Sequence, residues 1–397
     1  MSTPRPSPFL EHARSDFDSV LALTRDLVRL PTRGGIDPYD EAIDLLTTWL
    51  GERRLSPRVL RDGTGAPVAV TARVRGGRPG PVWVLDACLD TAPVGDVDAW
   101  KHDPFAAVLE DGWLWGRGAA DSKSGVAVFC HLAARLAAEA EELAGDLVVL
   151  FDLDEHTGRF GGAKAFFEGT DAPAEVGGVM IGYPGMDKLV VGGRGVYRVR
   201  LRVHGVSSHS GGSRPTPSAI SKAADLVRAL EAAPLPDARE GFAPARLTVT
   251  AIESGDGFSA VPDLCTLNVD VRTTPAFTGE QAADLVADVV AAVDTAWART
   301  PPTLVEAHTR WPAYALPPTS PLRSALTEAA HAHGVPVQPK IAGPSNIGNY
   351  LAGLGIGATA GFGPAYEGLH ATDERVRLDT VPVTQAVYEQ AVRALMR

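Results

Sequence analysis

Apolar residues at Leu21, Leu23, Leu27, Val28 and Leu30 fall on one helical face and stop at Pro31, so the chain is predicted to open with a helix. Asp37-Pro38 supplies an N-cap and a proline suited to the first helical turn, and Ile43, Leu45, Leu46 and Leu50 give the second helix its buried stripe. Two strand patterns follow, over 67–74 and 81–89; the second is continuous enough in apolar residues to be covered on both faces. An alanine-rich helix is predicted over 123–143 and a buried strand over 146–154. Strand, long helix, strand is the signature of a partly parallel sheet with helices on its faces.

Near Lys188 the pattern changes. Tyr197 to His204 alternates apolar and polar residues, as a strand with one face in water does. A helix over 218–230, strands over 246–252 and 265–271, and a helix over 280–298 complete a small α+β unit. After Pro301-Pro302 the buried style returns. The expected organisation is a catalytic α/β domain, residues 1–187 and 303–397, interrupted by an inserted α+β domain over 188–302.

Composition narrows the function. Hydrophobic residues make up 45% of the 397 and charged residues 21%, which is ordinary for a folded chain. No apolar run approaches the length of a membrane-spanning helix. A net charge of −11 argues against a phosphate-tracking nucleic-acid binder. Three cysteines, widely spaced and odd in number, do not make a disulfide scaffold. Met1–Ser19 has no apolar signal core, so a cytoplasmic location is expected.

Polar groups concentrate in four segments near predicted strand ends, where open α/β sheets bind ligands. They are Cys88-Leu-Asp90, Gly116-Arg-Gly-Ala-Ala-Asp121-Ser-Lys-Ser-Gly125, Asp154-Glu155-His156-Thr-Gly158 and His370-Ala-Thr-Asp373-Glu374. Carboxylates and imidazoles gathered from such positions can hold a metal ion.

These segments, in this order, resemble the motifs of the co-catalytic zinc hydrolases that include carboxypeptidase G, acetylornithine deacetylase, succinyl-diaminopimelate desuccinylase and aminoacylase. The resemblance covers nearly the whole chain. It implies a mixed-sheet, zinc-peptidase-like α/β domain with an inserted ferredoxin-like α+β domain that serves as a lid or dimerisation unit. Gly116 to Gly125 matches the Gly-Arg-Gly-x-x-Asp-x-Lys-x-Gly motif in full, which makes Asp121 a metal ligand. Glu155 takes the place of the general base, His156 that of a metal-binding glutamate, and His370 that of a metal-binding histidine. The alternative register, with Asp154 and Glu155 as the working pair, leaves His156 outside. Asp90 is implied to orient its neighbours. In the inserted part, His209 of Gly205-Val-Ser-Ser-His209-Ser resembles the histidine that stabilises an oxyanion, usually across a dimer. Arg272 of Asp270-Val-Arg272 is implied to contact substrate, and Ser259 stands where asparagine is usual. Arg194, in Gly193-Arg-Gly, reads as a turn residue.

Two departures stand out. The resemblance assigns one metal to a histidine, the shared aspartate and an acid, and here these positions hold Cys88, Asp121 and Tyr183. The other metal would be held by Asp121, His156 and His370. One zinc ion is therefore expected; a second is open through a Cys88 thiolate, and manganese, cobalt or iron suit the same donors. Cys88 is otherwise a small core residue, and Tyr183 either donates to an oxyanion, contacts substrate or fills a former metal position. The expected function is hydrolysis of an amide bond in an N-acyl amino acid or short peptide. The alternative is a repurposed relative that performs a condensation or cyclisation, or an inactive binding protein. A small-molecule substrate and a homodimer are the expected partners, with no nucleic acid and no membrane.

Overall fold

The computed structural model describes residues 7–237 and 241–397. Residues 1–6 of the Met1–Ser19 stretch lie outside the described residues, and from Pro8 the chain is helical. Helix α1 (Pro8–Arg29) buries Val20, Leu23, Leu27 and Val28, and α2 (Asp40–Glu52) buries Ile43, Leu46 and Leu50. Strands β1 (Arg58–Arg61), β2 (Pro67–Arg75) and β3 (Arg78–Cys88) follow; the last seven residues of β3 are all buried. Helix α3 (Ser124–Ala137) then leads to β4 (Ala144–Asp152), which pairs parallel to β3. The predicted helix over 123–143 is shorter than expected, because the chain leaves it at Ala138 and makes a separate turn over Ala140–Glu142. Helix α4 (Gly161–Phe167) and strand β5 (Val176–Ile181), parallel to β3 on its other side, complete this half.

The insertion contains β6 (Gly195–His204), α5 (Ala219–Glu231), β7 (Arg246–Ser254), β8 (Leu264–Thr273), α6 (Gly279–Ala296) and β9 (Leu304–Trp311). The four strands form an antiparallel sheet in the order β7-β8-β6-β9, a βαββαβ unit of the ferredoxin-like kind. Its core joins Val199, Leu201 and Val203 of β6 to Leu226 and Leu230 of α5 and to Val286 and Val290 of α6. Pairing moves both expected boundaries. Leu304–Trp311, expected in the catalytic part, is the fourth strand of the inserted sheet. Lys188–Gly193, expected in the insertion, pairs with Gln338–Ala342 and Tyr314–Ala315 instead. By pairing, the insertion runs from residue 195 to residue 311.

The returning chain forms α7 (Pro321–Ala332), α8 (Ile347–Gly353), β10 (Ala358–Ala360) and α9 (Val381–Leu395). Strand β10 joins β5 in parallel, giving a six-stranded sheet in the order β1-β2-β4-β3-β5-β10. Helices α1, α2, α3, α7 and α9 cover one face, around Leu27, Leu46, Phe129, Leu326 and Val387. Helices α4 and α8 cover the other, around Phe167, Ile347 and Leu351. The C-terminal ends of β3, β4 and β5 therefore open side by side, and the loops that leave them carry Asp90, Glu155-His156 and Tyr183.

Candidate metal centre and active site

Glycines let the second motif approach these strand ends. Gly118 has a φ of +82°, and a Cβ there would lie 2.6 Å from a Thr91 methyl. A Cβ on Gly125 would lie 2.7 Å from the carbonyl oxygen of Gly182, so only glycine lets the start of α3 sit against the residue before Tyr183. Asp121 is carried between them and is buried.

Asp121 meets both histidines. Its Oδ2 lies 2.9 Å from His370 Nε2 and 3.4 Å from His156 Nε2. The three side chains offer ligand atoms mutually within 4.8 Å. A second group, Cys88, Asp90 and His156, meets the same criterion. Asp90 is fully buried; it accepts the amide of Glu155 at 3.2 Å and that of His156 at 2.9 Å, and its Oδ1 lies 3.4 Å from His156 Nδ1. A carboxylate behind a ligand histidine fixes the ring and makes it a better donor.

The donor set suits a divalent ion. Asp121 Oδ1 and both ring nitrogens of His156 are buried without a well-directed hydrogen-bond partner among the described residues. Burial lowers the His156 pKa, but Asp121 and Asp90 outweigh it and take it up to about 11. Carboxylates that hold a proton on a buried imidazole can hold a metal ion against it, with release of that proton. Burial also opposes ionisation of Asp121, yet His156 and His370 keep its carboxyl well below the usual range. One carboxylate and two imidazoles match zinc with an open position.

Glu155 lies beside this set. Burial takes its carboxyl up to about 7, against the opposing pull of His156. Tyr183 is half-buried, desolvation raises its phenol pKa well above the ordinary value, and its hydroxyl donates to Glu155 Oε1 at 2.5 Å. Cys88 is fully buried at the end of β3, and its amide donates to Ser122 Oγ at 2.9 Å. Burial and the nearby charges of Glu155, Asp121 and Asp90 raise the Cys88 thiol well above its ordinary value. Two residues earlier on β3, Asp86 is buried with neither carboxylate oxygen bonded among the described residues, and burial raises its carboxyl well above the ordinary value.

The remaining sequence candidates sit on the insertion. Among the described residues, none of His209, Ser259 and Arg272 hydrogen-bonds to the cluster. His209 is exposed and accepts the Gly211 amide at 3.0 Å. Ser259 is exposed, and its carbonyl accepts the Ser210 amide. Arg272 donates to Asp270 at 2.7 Å and to Ser345 Oγ at 3.3 Å, across to the catalytic domain.

Sequence reasoning missed several contributors. Arg117 and Glu374 form a buried ion pair. Glu374 Oε1 accepts the amides of Ala120 and Asp121, and Arg117 donates to the carbonyl of Ala371, next to His370. The pair thus fastens the Asp121 segment to the His370 loop. The Glu that ends His370-Ala-Thr-Asp373-Glu374 was the available signal. Arg194 is more than a turn residue: its guanidinium donates to Gly343 O and to Pro244 O. Burial and the neighbouring charges of Arg272 and Arg246 lower its pKa, which marks a cationic corner beside Ser345.

Comparison with known proteins decides the family. Residues 84–394 match peptidase family M20/M25/M40. The chain belongs to this family. A succinyl-diaminopimelate desuccinylase of Cereibacter sphaeroides is 29% identical over 384 residues, 93% of this chain and 96% of that one. A second such enzyme, from Gluconacetobacter diazotrophicus, is 30% identical over 68% of this chain and 71% of its own length. Among solved structures, an M20 family metallo-carboxypeptidase from Sulfolobus solfataricus has a TM-score of 0.78 at 17% identity, covering 95% of this chain and 99% of its own. A dinuclear metal binding M20 peptidase from Bacillus subtilis has a TM-score of 0.70 at 18% identity, over 96% and 99% of the two chains. This M20 chain is therefore a metal-dependent hydrolase of the peptidase and amidohydrolase kind. No helix among its described residues is long and apolar enough to cross a membrane.

Proposed function

We propose that this M20 hydrolase cleaves the amide bond of an N-acyl amino acid, with an acyl group that ends in a carboxylate, using a single zinc ion. The observation that carries the reading is the placement of Glu155 next to the Asp121, His156 and His370 donor set, with its other flank bonded to Tyr183. Asp121, His156 and His370 would hold the ion, which when bound supplies a Lewis acid that polarises a carbonyl and acidifies water. Glu155, its side chain 14% exposed, is the carboxylate beside that donor set, 3.5 Å from the His156 ring. It takes a proton from the attacking water and delivers it to the amine nitrogen as the C–N bond breaks. Asp90 keeps the His156 ring oriented, and fully buried Cys88 and Asp90 close the floor of the site to bulk water.

The carboxylate preference rests on Arg272 and Arg194, whose guanidinium groups border the Ser345 segment, and on the relatives that act on succinyl-diaminopimelate. His209 is too exposed within its own chain to be part of the cluster; we assign it to the cluster of a partner copy in a homodimer, as the sequence resemblance implies. The test is a panel of N-succinyl amino acids, N-acetyl amino acids and dipeptides, incubated with the zinc-loaded chain in ¹⁸O-water. Release of amine with one ¹⁸O in the acid product is expected, fastest with the succinyl members. Absence of cleavage across the panel, or amine release without label, overturns the reading.

A further inference from the structure

The two donor groups share one imidazole, and they are not equivalent. In the group of Asp121, His156 and His370, Asp121 Oδ1 has no hydrogen-bond partner among the described residues. In the group of Cys88, Asp90 and His156, each Asp90 oxygen already accepts a backbone amide, at 3.2 and 2.9 Å. Asp90 then faces His156 from behind, at 3.4 Å, as an orienting carboxylate does rather than a ligand. Cys88 is fully buried at the end of β3, and its amide is held by Ser122 Oγ at 2.9 Å. Tyr183, which the sequence resemblance sets where an acid ligand would be, turns its hydroxyl to Glu155 Oε1 at 2.5 Å.

We infer that Tyr183 is a positioning residue that does the work of a second cation in a one-metal centre, its hydroxyl pinning one oxygen of Glu155 while Cys88 seals the space beneath. The inference rests on the hydrolase reading above and deepens it. With Oε1 tied to the phenol, Oε2 is left to receive a proton; it lies 3.5 Å from His156 Nδ1, the ring nitrogen that Asp90 also faces. Water gives one proton to Glu155 Oε2 and its oxygen to the carbonyl carbon; the same proton leaves with the amine as the C–N bond breaks. Tyr183 keeps its proton throughout and holds the carboxylate by its hydrogen bond alone. The stiffness of that hydrogen bond matters, because a base displaced by about 1 Å can lose about a hundredfold in rate.

The experiment titrates the metal-free full chain with Co²⁺ and reads absorbance and the bound metal ratio, in wild type, Cys88→Ser, Tyr183→Phe and the double variant Cys88→His, Tyr183→Glu. Wild type is expected to take up one equivalent, with visible ligand-field bands and no thiolate-to-cobalt charge transfer in the near ultraviolet. Cys88→Ser should reproduce that titration. Tyr183→Phe should keep the single equivalent and the spectrum, yet lose kcat about tenfold to a hundredfold on the N-succinyl amino acid that wild type cleaves, with KM within about twofold. The double variant should take up a second equivalent. A second equivalent in wild type, or a charge-transfer band that Cys88→Ser removes, overturns the inference and leaves the hydrolase reading standing. An unchanged kcat in Tyr183→Phe also overturns it. No cobalt uptake in any variant overturns the metal-centre reading itself, and this inference with it.

Discussion

Glu155 has a carboxylate's difficulty in a buried place: it must ionise where burial and neighbouring acids oppose ionisation. Burial takes it up to about 7, while His156 and the Tyr183 hydrogen bond pull the other way. A cation at the Asp121 position favours the ionised form further. The proton-accepting form is the ionised one, so kcat/KM should rise with pH along an acid limb with a pKa at or below about 7. A rate that falls as pH rises through that range would contradict the assignment. Glu155→Gln should lower kcat by about a hundredfold or more while metal uptake and the unfolding midpoint stay within error; turnover near the wild-type rate would remove Glu155 from the mechanism. Much of this site was legible residue by residue, because its members sit at fixed offsets within short motifs. What the sequence left open was the direction of each side chain. Cys88 read as ligand or core residue with equal ease, Tyr183 as oxyanion donor, substrate contact or filler of a former metal position, and Asp90 as an orienting carboxylate; their hydrogen bonds show what each one touches.

Between the elements, the centre depends on a buried ion pair. Arg117 and Glu374 are each about 1% exposed, and together they bond the amides around Asp121 and the carbonyl beside His370. Removing one partner leaves the other charge buried alone, a loss of about 3–5 kcal/mol. Glu374→Ala should therefore lower the denaturation midpoint strongly and weaken metal uptake. The double variant Arg117→Met, Glu374→Leu should be destabilised by less than the sum of the single changes, in a double-mutant cycle. Additive losses would mean that the two side chains act independently. At this scale the periodicity reading was accurate where burial is one-sided or complete. Helices α5 and α6 and strands β7 and β8 fall within a few residues of the expected ranges. It failed at Leu304–Trp311, an edge strand whose burial barely alternates and whose start follows two prolines. Prolines there mark a strand beginning rather than a domain boundary, since proline is tolerated at the first residues of an edge strand.

For the whole molecule, the geometry of the crossing between domains governs what the arginines and His209 can do. The chain enters the insertion after Arg194 and leaves it before Pro312, and Asn349 on α8 donates to the carbonyls of Gly193, Arg194 and Pro312 at once. One amide thus ties both crossings, while Arg272 and Arg194 reach over the same seam to Ser345 and Pro244. A charged group that binds substrate across a seam contributes mainly to binding, so Arg272→Ala should raise KM for an N-succinyl substrate about tenfold or more and change kcat far less. Equal effects on succinyl and acetyl substrates would detach Arg272 from the carboxylate. His209 is exposed, and among the described residues its imidazole accepts only the Gly211 amide; on the proposed reading it acts in the centre of a second chain. In a twofold dimer each centre would then combine Glu155 of one protomer with His209 of the other. Glu155→Gln and His209→Ala homodimers should each be nearly inactive. Mixed and allowed to exchange, they should recover about a quarter of wild-type activity, because half the dimers carry both changes and one of their two centres has every group intact. Recovery requires that the protomers exchange, which mass measurement of the mixed dimer establishes independently. If mixed dimers form and stay inactive, His209 serves its own chain or none, and the crossed-dimer assignment fails.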